Sequence, residues 1–232
     1  MHLSIIIPAY NEADRIEKTL REVDAYLQEQ QLSYEVLVVD DGSTDGTENL
    51  IKQMSVQMPY LSLIQFPKNQ GKGAAVKAGM LAVTGDLRLF MDADGSTHIR
   101  ELTKLLPYAA EGFEVVVGSR LVAGAVKKTK QNLAREFLGW VFRNLTRLLM
   151  HTEVQDPQNG FKLFSANAAE RIFGELTTNG WSFDVEVFAL AKKHGLKVKE
   201  VPIVWVNDER SRIRFPHMLR MLVDLVWIRL RY

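Results

Sequence analysis

Three polar runs contain the residues best suited to chemistry: Pro8-Ala9-Tyr10-Asn11-Glu12, Asp40-Asp41-Gly42-Ser43-Thr44-Asp45 and Asp92-Ala93-Asp94. Each follows a short apolar run, Leu3–Ile7, Val36–Val39 or Leu87–Met91. Taken singly they have bland readings, because Asn11 and Ser43 suit helix caps and Asp-Gly or Asp-Ala-Asp suit turns. Taken together they place acidic groups at three strand ends. Carboxylates gathered at one edge repel unless something cationic neutralises them. A hard divalent ion such as Mg²⁺ or Mn²⁺ prefers carboxylate oxygen and also binds phosphate oxygen. The pattern therefore predicts a metal–diphosphate site.

The glycines do not spell a familiar nucleotide module. There is no G-x-x-x-x-G-K-[ST], and no G-x-G-x-x-G follows the first apolar run. Asn69-Gln70-Gly71-Lys72-Gly73 leads into a helical pattern. That segment has two readings: backbone N–H groups and Lys72 aimed at phosphate, or an ordinary glycine-containing helix start. Cysteine is absent, which excludes disulfides, thiolate metal sites and a cysteine nucleophile.

The elements that must position these residues follow from hydrophobic periodicity. Continuous apolar runs alternate with helical spacing such as Ile16, Leu20, Val23 and Leu27 through the first two thirds of the chain. Runs apolar throughout suit strands covered on both faces, so the pattern predicts an α/β sandwich with a mostly parallel sheet. In such sheets ligands bind beyond the carboxyl ends of the strands. The 232 residues suffice for one domain with a distinct C-terminal portion. With 29 Lys+Arg against 28 Asp+Glu, the balance argues against a general nucleic-acid binder.

No apolar stretch approaches the length of a membrane span, and the start has no basic leader. The expectation is a protein that stays on the side of the membrane where it is made. Residues 131–150 form an amphipathic pattern. Asn132, Arg135, Glu136, Gly139, Arg143, Thr146 and Arg147 share one stripe, opposite Leu133, Phe137, Trp140, Val141, Leu145 and Leu148. Residues 127–147 hold six Lys/Arg and one Glu, and a second amphipathic pattern begins at Pro216. Such segments either pack on the sheet with a solvated basic face or lie at a membrane surface.

The runs already quoted, with Asn69–Gly73, resemble the inverting family 2 glycosyltransferases of GT-A (Rossmann-like) fold. Gly118-Ser119-Arg120, Asp156-Pro157-Gln158-Asn159-Gly160-Phe161-Lys162-Leu163-Phe164 and Trp181-Ser182-Phe183-Asp184-Val185-Glu186 are similar to the dolichyl- or polyprenyl-phosphate β-glucosyltransferase branch. The resemblance implies one GT-A domain over 1–232, with a nucleotide-sugar half at 1–120 and an acceptor- and membrane-facing half at 121–232. It implies that Pro8, Tyr10, Glu12 and Asp41 line the base and ribose. Asp92, Ala93 and Asp94 would serve the diphosphate, with Asp94 the nearer metal ligand, and Lys72 and Arg212 would assist there. Arg120 and Arg135 would face phosphate, and Asp156 and the Trp181–Glu186 segment would shape the sugar and acceptor region.

There are departures. Ser96 stands where the related mannosyltransferases carry Gln, Pro157 and Asn159 replace the usual Thr and Cys, and Arg210-Ser211-Arg212 replaces Gly-Ser-Lys. Members often carry transmembrane helices, whereas this sequence has no such stretch.

The expected reaction is transfer of a hexose, glucose from UDP-glucose, to dolichyl or undecaprenyl phosphate at the cytoplasmic face of a membrane. The expected cofactor is Mg²⁺ or Mn²⁺, and the expected partners are a nucleotide sugar, a polyprenyl-phosphate acceptor and the membrane surface, with no nucleic acid. A membrane-protein partner is the alternative anchor if the chain does not dock there by itself. A phosphate monoester, with a second pKa near ~6, is largely dianionic at neutral pH and attacks without a strong base. A hydroxyl acceptor would instead need a carboxylate base, with Asp156 the candidate. An inactive nucleotide-sugar-binding subunit would not need the Asp92/Asp94 pair and the arginines. A nucleotidyltransferase would need a glycine-rich first loop where Pro8–Glu12 stands.

Overall fold

The computed structural model describes residues 2–30, 32–128, 133–150, 153–206 and 215–232, with side chains for all of these except 133–138, 150 and 215–219. Strand β1 (His2–Ala9) is buried on both faces. Ile5 and Ile7 point into one core and Ile6 into another, as period-2 alternation requires. The same holds in β2 (Ser33–Asp40), where Val36 and Val38 face one side and Leu37 and Val39 the other.

The remaining large-sheet strands are β3 (Leu61–Gln65), β4 (Leu87–Met91), β5 (Val115–Ser119), β7 (Phe161–Ser165) and β8 (Val198–Pro202). Their order across the seven-stranded sheet is β3-β2-β1-β4-β7-β5-β8. Every pairing is parallel except those of β7, which runs antiparallel to both β4 and β5. The expected mostly parallel sheet is present, with one reversed strand that periodicity did not announce. Two short strands, β6 (Val126–Lys127) and β9 (Val204–Trp205), form a separate parallel pair.

Helices α1 (Ile16–Gln28), α2 (Thr47–Gln57) and α4 (Leu102–Ala110) cover one face, through residues such as Leu20, Ile51 and Leu105. Helices α3 (Lys72–Ala82), α6 (Ala166–Glu175) and α7 (Phe183–Lys193) cover the other, through Val76, Ile172 and Val187. Gly79 lets α3 lie directly on the sheet: a Cβ there would come 2.4 Å from Ile6 Cγ2.

Helices α5 (Leu133–Met150) and α8 (Phe215–Arg231) build a third core against α7, in which Phe142, Met221, Leu225 and Ile228 meet Val185 and Ala189. This corrects the expected face of α5. Thr146, placed on the polar stripe, is buried, and its hydroxyl donates to the Phe142 carbonyl. Trp140 and Leu148, placed on the opposite, apolar stripe, are exposed. The partner of α5 is a helix pair rather than the sheet, so a different arc of the helix is covered. Among the described residues, no helix is long and apolar enough to cross a membrane.

Candidate active site

Because β2, β1 and β4 are parallel neighbours, their carboxyl ends open on one edge, as the sequence pattern requires. β5 points the same way, and the reversed strand β7 begins there. Asp92 and Asp94, Arg120, and the turn Asp156–Gly160 therefore meet at one place.

The two strand-end acidic groups do different work. Asp41 is buried and accepts the Gln70 N–H at 2.7 Å, the Gly71 N–H at 2.9 Å and the Asn69 amide at 2.9 Å. It staples the end of β2 to the glycine loop, and burial pushes its carboxyl up despite those donors. Asp40 is also fully buried and holds the Ser43 hydroxyl, and Ser43 Oγ accepts the Asn11 N–H at 2.7 Å. Asn11 and Ser43 thus tie two strand ends together. Neither caps a helix: α1 is preceded by Arg15 and α2 by Gly46.

The phosphate reading of the glycine loop needs correction. The Gly73 and Ala74 N–H groups at the start of α3 donate to the Asn179 carbonyl, at 2.8 and 3.3 Å. With Gln70 and Gly71 turned to Asp41, these backbone donors are already engaged. Lys72 is what the segment contributes, with Nζ 2.7 Å from Asp92 Oδ1 and 5.2 Å from the centre of the Trp181 ring. Burial lowers the Lys72 ammonium, but Asp92 and Asp184 outweigh it and hold it above its usual range.

Asp92 is fixed by its own N–H, which donates to Gly160 O, and a Cβ on Gly160 would fall 2.0 Å from Asp92 Oδ2. Only glycine allows β7 to approach the carboxylate this closely. Asp94 Oδ1 accepts the Ser96 N–H at 2.9 Å. Burial and then the charge of Asp92 push the Asp94 carboxyl up, an arrangement that a cation would relieve. Ala93 is buried between them, its carbonyl held by the Thr19 hydroxyl. Two adjacent carboxylates are hard oxygen donors suited to Mg²⁺ or Mn²⁺. Among the described residues, no group of three or more His, Cys, Asp or Glu side chains is gathered in a way that could hold a metal ion.

Of the residues expected to line the base and ribose, Pro8 lies within β1 and Tyr10 is partly exposed just beyond it. The Glu12 carboxylate is gripped by Arg15. Arg120 was expected to face phosphate. Its Nε and Nη2 instead bracket Asp156 at 2.8 and 2.7 Å, its N–H adds a third bond at 2.9 Å, and its guanidinium lies over Trp205. Asp156 is fully buried. Burial alone would raise its carboxyl, but Arg120, helped by the field of Arg143, holds it below the usual range. Arg143, read from sequence as part of the basic stripe, thus sends its field into the site. Glu200 fixes the turn by accepting the N–H groups of Gln155 and Asp156. Arg212 and the side chain of Arg135 lie outside the described residues.

Sequence reasoning missed one site cation. Lys162 is buried in β7, with Nζ 2.5 Å from Asp184 Oδ1 and from the Asn159 carbonyl. Burial pushes Lys162 down and Asp184 up. The signal was available: a lysine inside Phe161-Lys162-Leu163-Phe164 interrupts an otherwise apolar strand, and a buried charge needs a partner.

The sequence profile described as Glycosyl transferase family 2 matches residues 4–173. The chain belongs to that family. Among curated relatives, a dolichyl-phosphate beta-glucosyltransferase of Trichomonas vaginalis is 35% identical, over 98% of this chain and 71% of that protein. Those of Saccharomyces cerevisiae and Homo sapiens are 34% and 33% identical, each over 99% of this chain and 75% of theirs.

Among solved structures, mannosyl-3-phosphoglycerate synthase from Rubrobacter xylanophilus aligns with a TM-score of 0.76 at 21% identity, over 100% of this chain and 74% of that one. Glucosyl-3-phosphoglycerate synthase from Mycobacterium tuberculosis, in complex with Mn²⁺, UDP-glucose and phosphoglyceric acid, aligns at 0.75 and 20% identity, over 98% and 79%. The fold of this family 2 glycosyltransferase is accordingly GT-A.

Proposed function

We propose that this family 2 enzyme transfers glucose from UDP-glucose, with inversion, to a polyprenyl phosphate, dolichyl or undecaprenyl. The observation that carries the reading is the pairing of the carboxylates around the site. Asp156 is locked to Arg120 and Asp184 to Lys162. Neither is placed as an unencumbered general base, which suits an acceptor that brings its own negative charge. The names of the curated relatives support the same donor sugar and lipid acceptor.

In this reading residues 1–120 hold the nucleotide sugar, with Pro8, Tyr10, Glu12 and Asp41 around the base and ribose. Asp92 and Asp94 would hold Mg²⁺ or Mn²⁺, which when bound offsets the charge of the departing nucleoside diphosphate. Lys72 orients Asp92 and adds positive charge beside the diphosphate. Residues 121–232 receive the acceptor, with Arg135 and Arg143 aligning its phosphate and reducing repulsion between two anions, Arg120 at the boundary of the halves holding Asp156 in place, and Arg212 assisting at the diphosphate. Direct attack by the phosphate oxygen inverts the anomeric centre and gives a β-linked product. The test is a panel of purified enzyme with UDP-glucose, UDP-galactose and GDP-mannose against dolichyl and undecaprenyl phosphate. Turnover is expected with UDP-glucose and a polyprenyl phosphate. Turnover with GDP-mannose alone rejects the donor, and efficient transfer to a hydroxyl acceptor rejects the phosphate reading.

Docking of the enzyme on the cytoplasmic face of a membrane belongs to the same proposal. On α8, Val223, Val226, Trp227 and Leu230 are 54–77% exposed, with Arg220, Arg229 and Arg231 also outward. Exposed Trp140, Leu148 and Arg147 on α5 add to them. Apolar side chains with bordering arginines suit an anionic interface, where each basic residue contributes about 1 kcal/mol, weakened by salt. Co-sedimentation with phosphatidylserine-containing liposomes should fall as salt rises, and fall further in Val223→Glu/Trp227→Glu. Wild-type protein left in the supernatant at low salt would assign anchoring to a membrane-protein partner instead.

A further inference from the structure

The C-terminal helix is tied to the donor side of the site by two polar routes that its packing does not require. At its end, the Tyr232 hydroxyl donates to Glu186 Oε1 at 3.0 Å. Glu186 is fully buried and also accepts the Thr177 hydroxyl at 2.8 Å, the Thr177 N–H, and the Thr178 N–H at 2.7 Å. Arg231 reaches the same Thr177 hydroxyl at 3.0 Å. The next carbonyl, Asn179 O, receives the Gly73 and Ala74 N–H groups that open α3. Contact there is tight: a Cβ on Gly71 would lie 2.4 Å from Asn179 O, and one on Gly73 2.3 Å from Thr178 O. A shift of residues 177–179 therefore has to move the start of α3 or break these contacts.

The second route begins inside α8. Asp224 Oδ2 accepts the Ser182 hydroxyl at 2.8 Å, and the residue before it, Trp181, lies over Lys72. The first route ends on the backbone that flanks Lys72, at Gly71 and Gly73, and the second on the Lys72 ammonium itself, which is paired with Asp92. We propose that Glu186 and Asp224 are positioning residues that make the seating of α8 set the place of Lys72 against Asp92, so that the helix bearing the exposed apolar residues governs donor binding. This rests on the reading above only in assigning Lys72 to the donor.

Two measurements test it on the full chain. Without ligand, hydrogen exchange over residues 70–76 should quicken in Tyr232→Phe and in Asp224→Asn, while β1 and β2 exchange as in wild type. Unchanged exchange in the 70–76 segment, or faster exchange everywhere, overturns the proposal. With UDP-glucose, both variants should weaken binding by about three- to thirtyfold, the range of coupling carried through such networks. KM for the lipid acceptor should stay constant, and in a Lys72→Met background the further loss should vanish. Losses that remain additive with Lys72→Met overturn the proposal, because a general structural defect would add independently. Tyr232→Phe removes a single hydroxyl on a half-buried ring, so it keeps the test open should Asp224→Asn fail to fold. Local quickening at 70–76 with no UDP-glucose binding by wild type would retain the coupling and reject the donor assignment alone.

Discussion

Asp94→Ala is expected to lower hexosyl transfer by a factor of at least about one hundred, comparable to removing one preorganised electrostatic contact in a dry site. Asp94 sits just past β4, and its carboxylate accepts the Ser96 N–H. Burial and the neighbouring charge of Asp92 already disfavour its ionised carboxylate, so removing it relieves a cost that offsets the lost Ser96 bond. Unfolding free energy should therefore change by less than about 1 kcal/mol. Asp92→Asn should be similarly inactive, since it removes both a proposed cation ligand and the partner of Lys72. Thorough chelation of the wild type should reproduce the loss, and added Mn²⁺ or Mg²⁺ should restore activity to wild type but not to Asp94→Ala. Full turnover after chelation would remove the divalent ion from the proposal.

Arg120→Met should cost about 3–5 kcal/mol of stability, because it leaves Asp156 buried without its countercharge. For a chain of this length that corresponds to a fall in Tm of roughly 6–20 °C. The sign of the pH dependence separates this cause from a packing defect. In the wild type the Asp156 carboxyl is held below its usual value. Its contribution is thus present above the unfolded pKa of about 3.9 and is lost as pH falls through the folded value. In Arg120→Met, burial without the guanidinium pushes the same carboxyl up. The variant's deficit should then be largest near neutral pH and shrink as acid protonates the carboxyl. Urea unfolding at pH 7 and pH 4.5 measures both, and an equal deficit at the two values would point to packing.

Much of the framework was legible because it depends on local pattern. Val36–Val39 announced a buried strand by being apolar throughout, and Leu3–Ile7 and Leu87–Met91 by being apolar except for Ser4 and Arg88. Strand–helix alternation implied parallel neighbours with their acidic ends on one edge. The helix faces were less legible. Thr146 and Leu148 exchanged their expected places because the arc that α5 buries is chosen by α7 and α8, not by its own stripe. The same limit applied to Asn11 and Ser43, whose types suit helix caps but whose partners lie on a neighbouring strand end.

The sequence by itself determined most of the residues that could hold charge at the site: the Asp92/Asp94 pair after an apolar strand, Lys72 before a helix and Arg120 at a strand end, while Lys162, inside an apolar run, was legible but passed over. Tertiary structure alone decided which charge answers which. Lys72 meets Asp92, Arg120 meets Asp156 and Lys162 meets Asp184, pairs separated along the chain by other elements. The last two pairings exist because β7 enters the sheet reversed between β4 and β5, carrying Lys162 and bringing the turn at Asp156 beside Arg120, with Gly160 close against Asp92. Strand order is set by how the two helical layers share the sheet's apolar faces. That is a property of the whole chain's packing, and no local spacing records it.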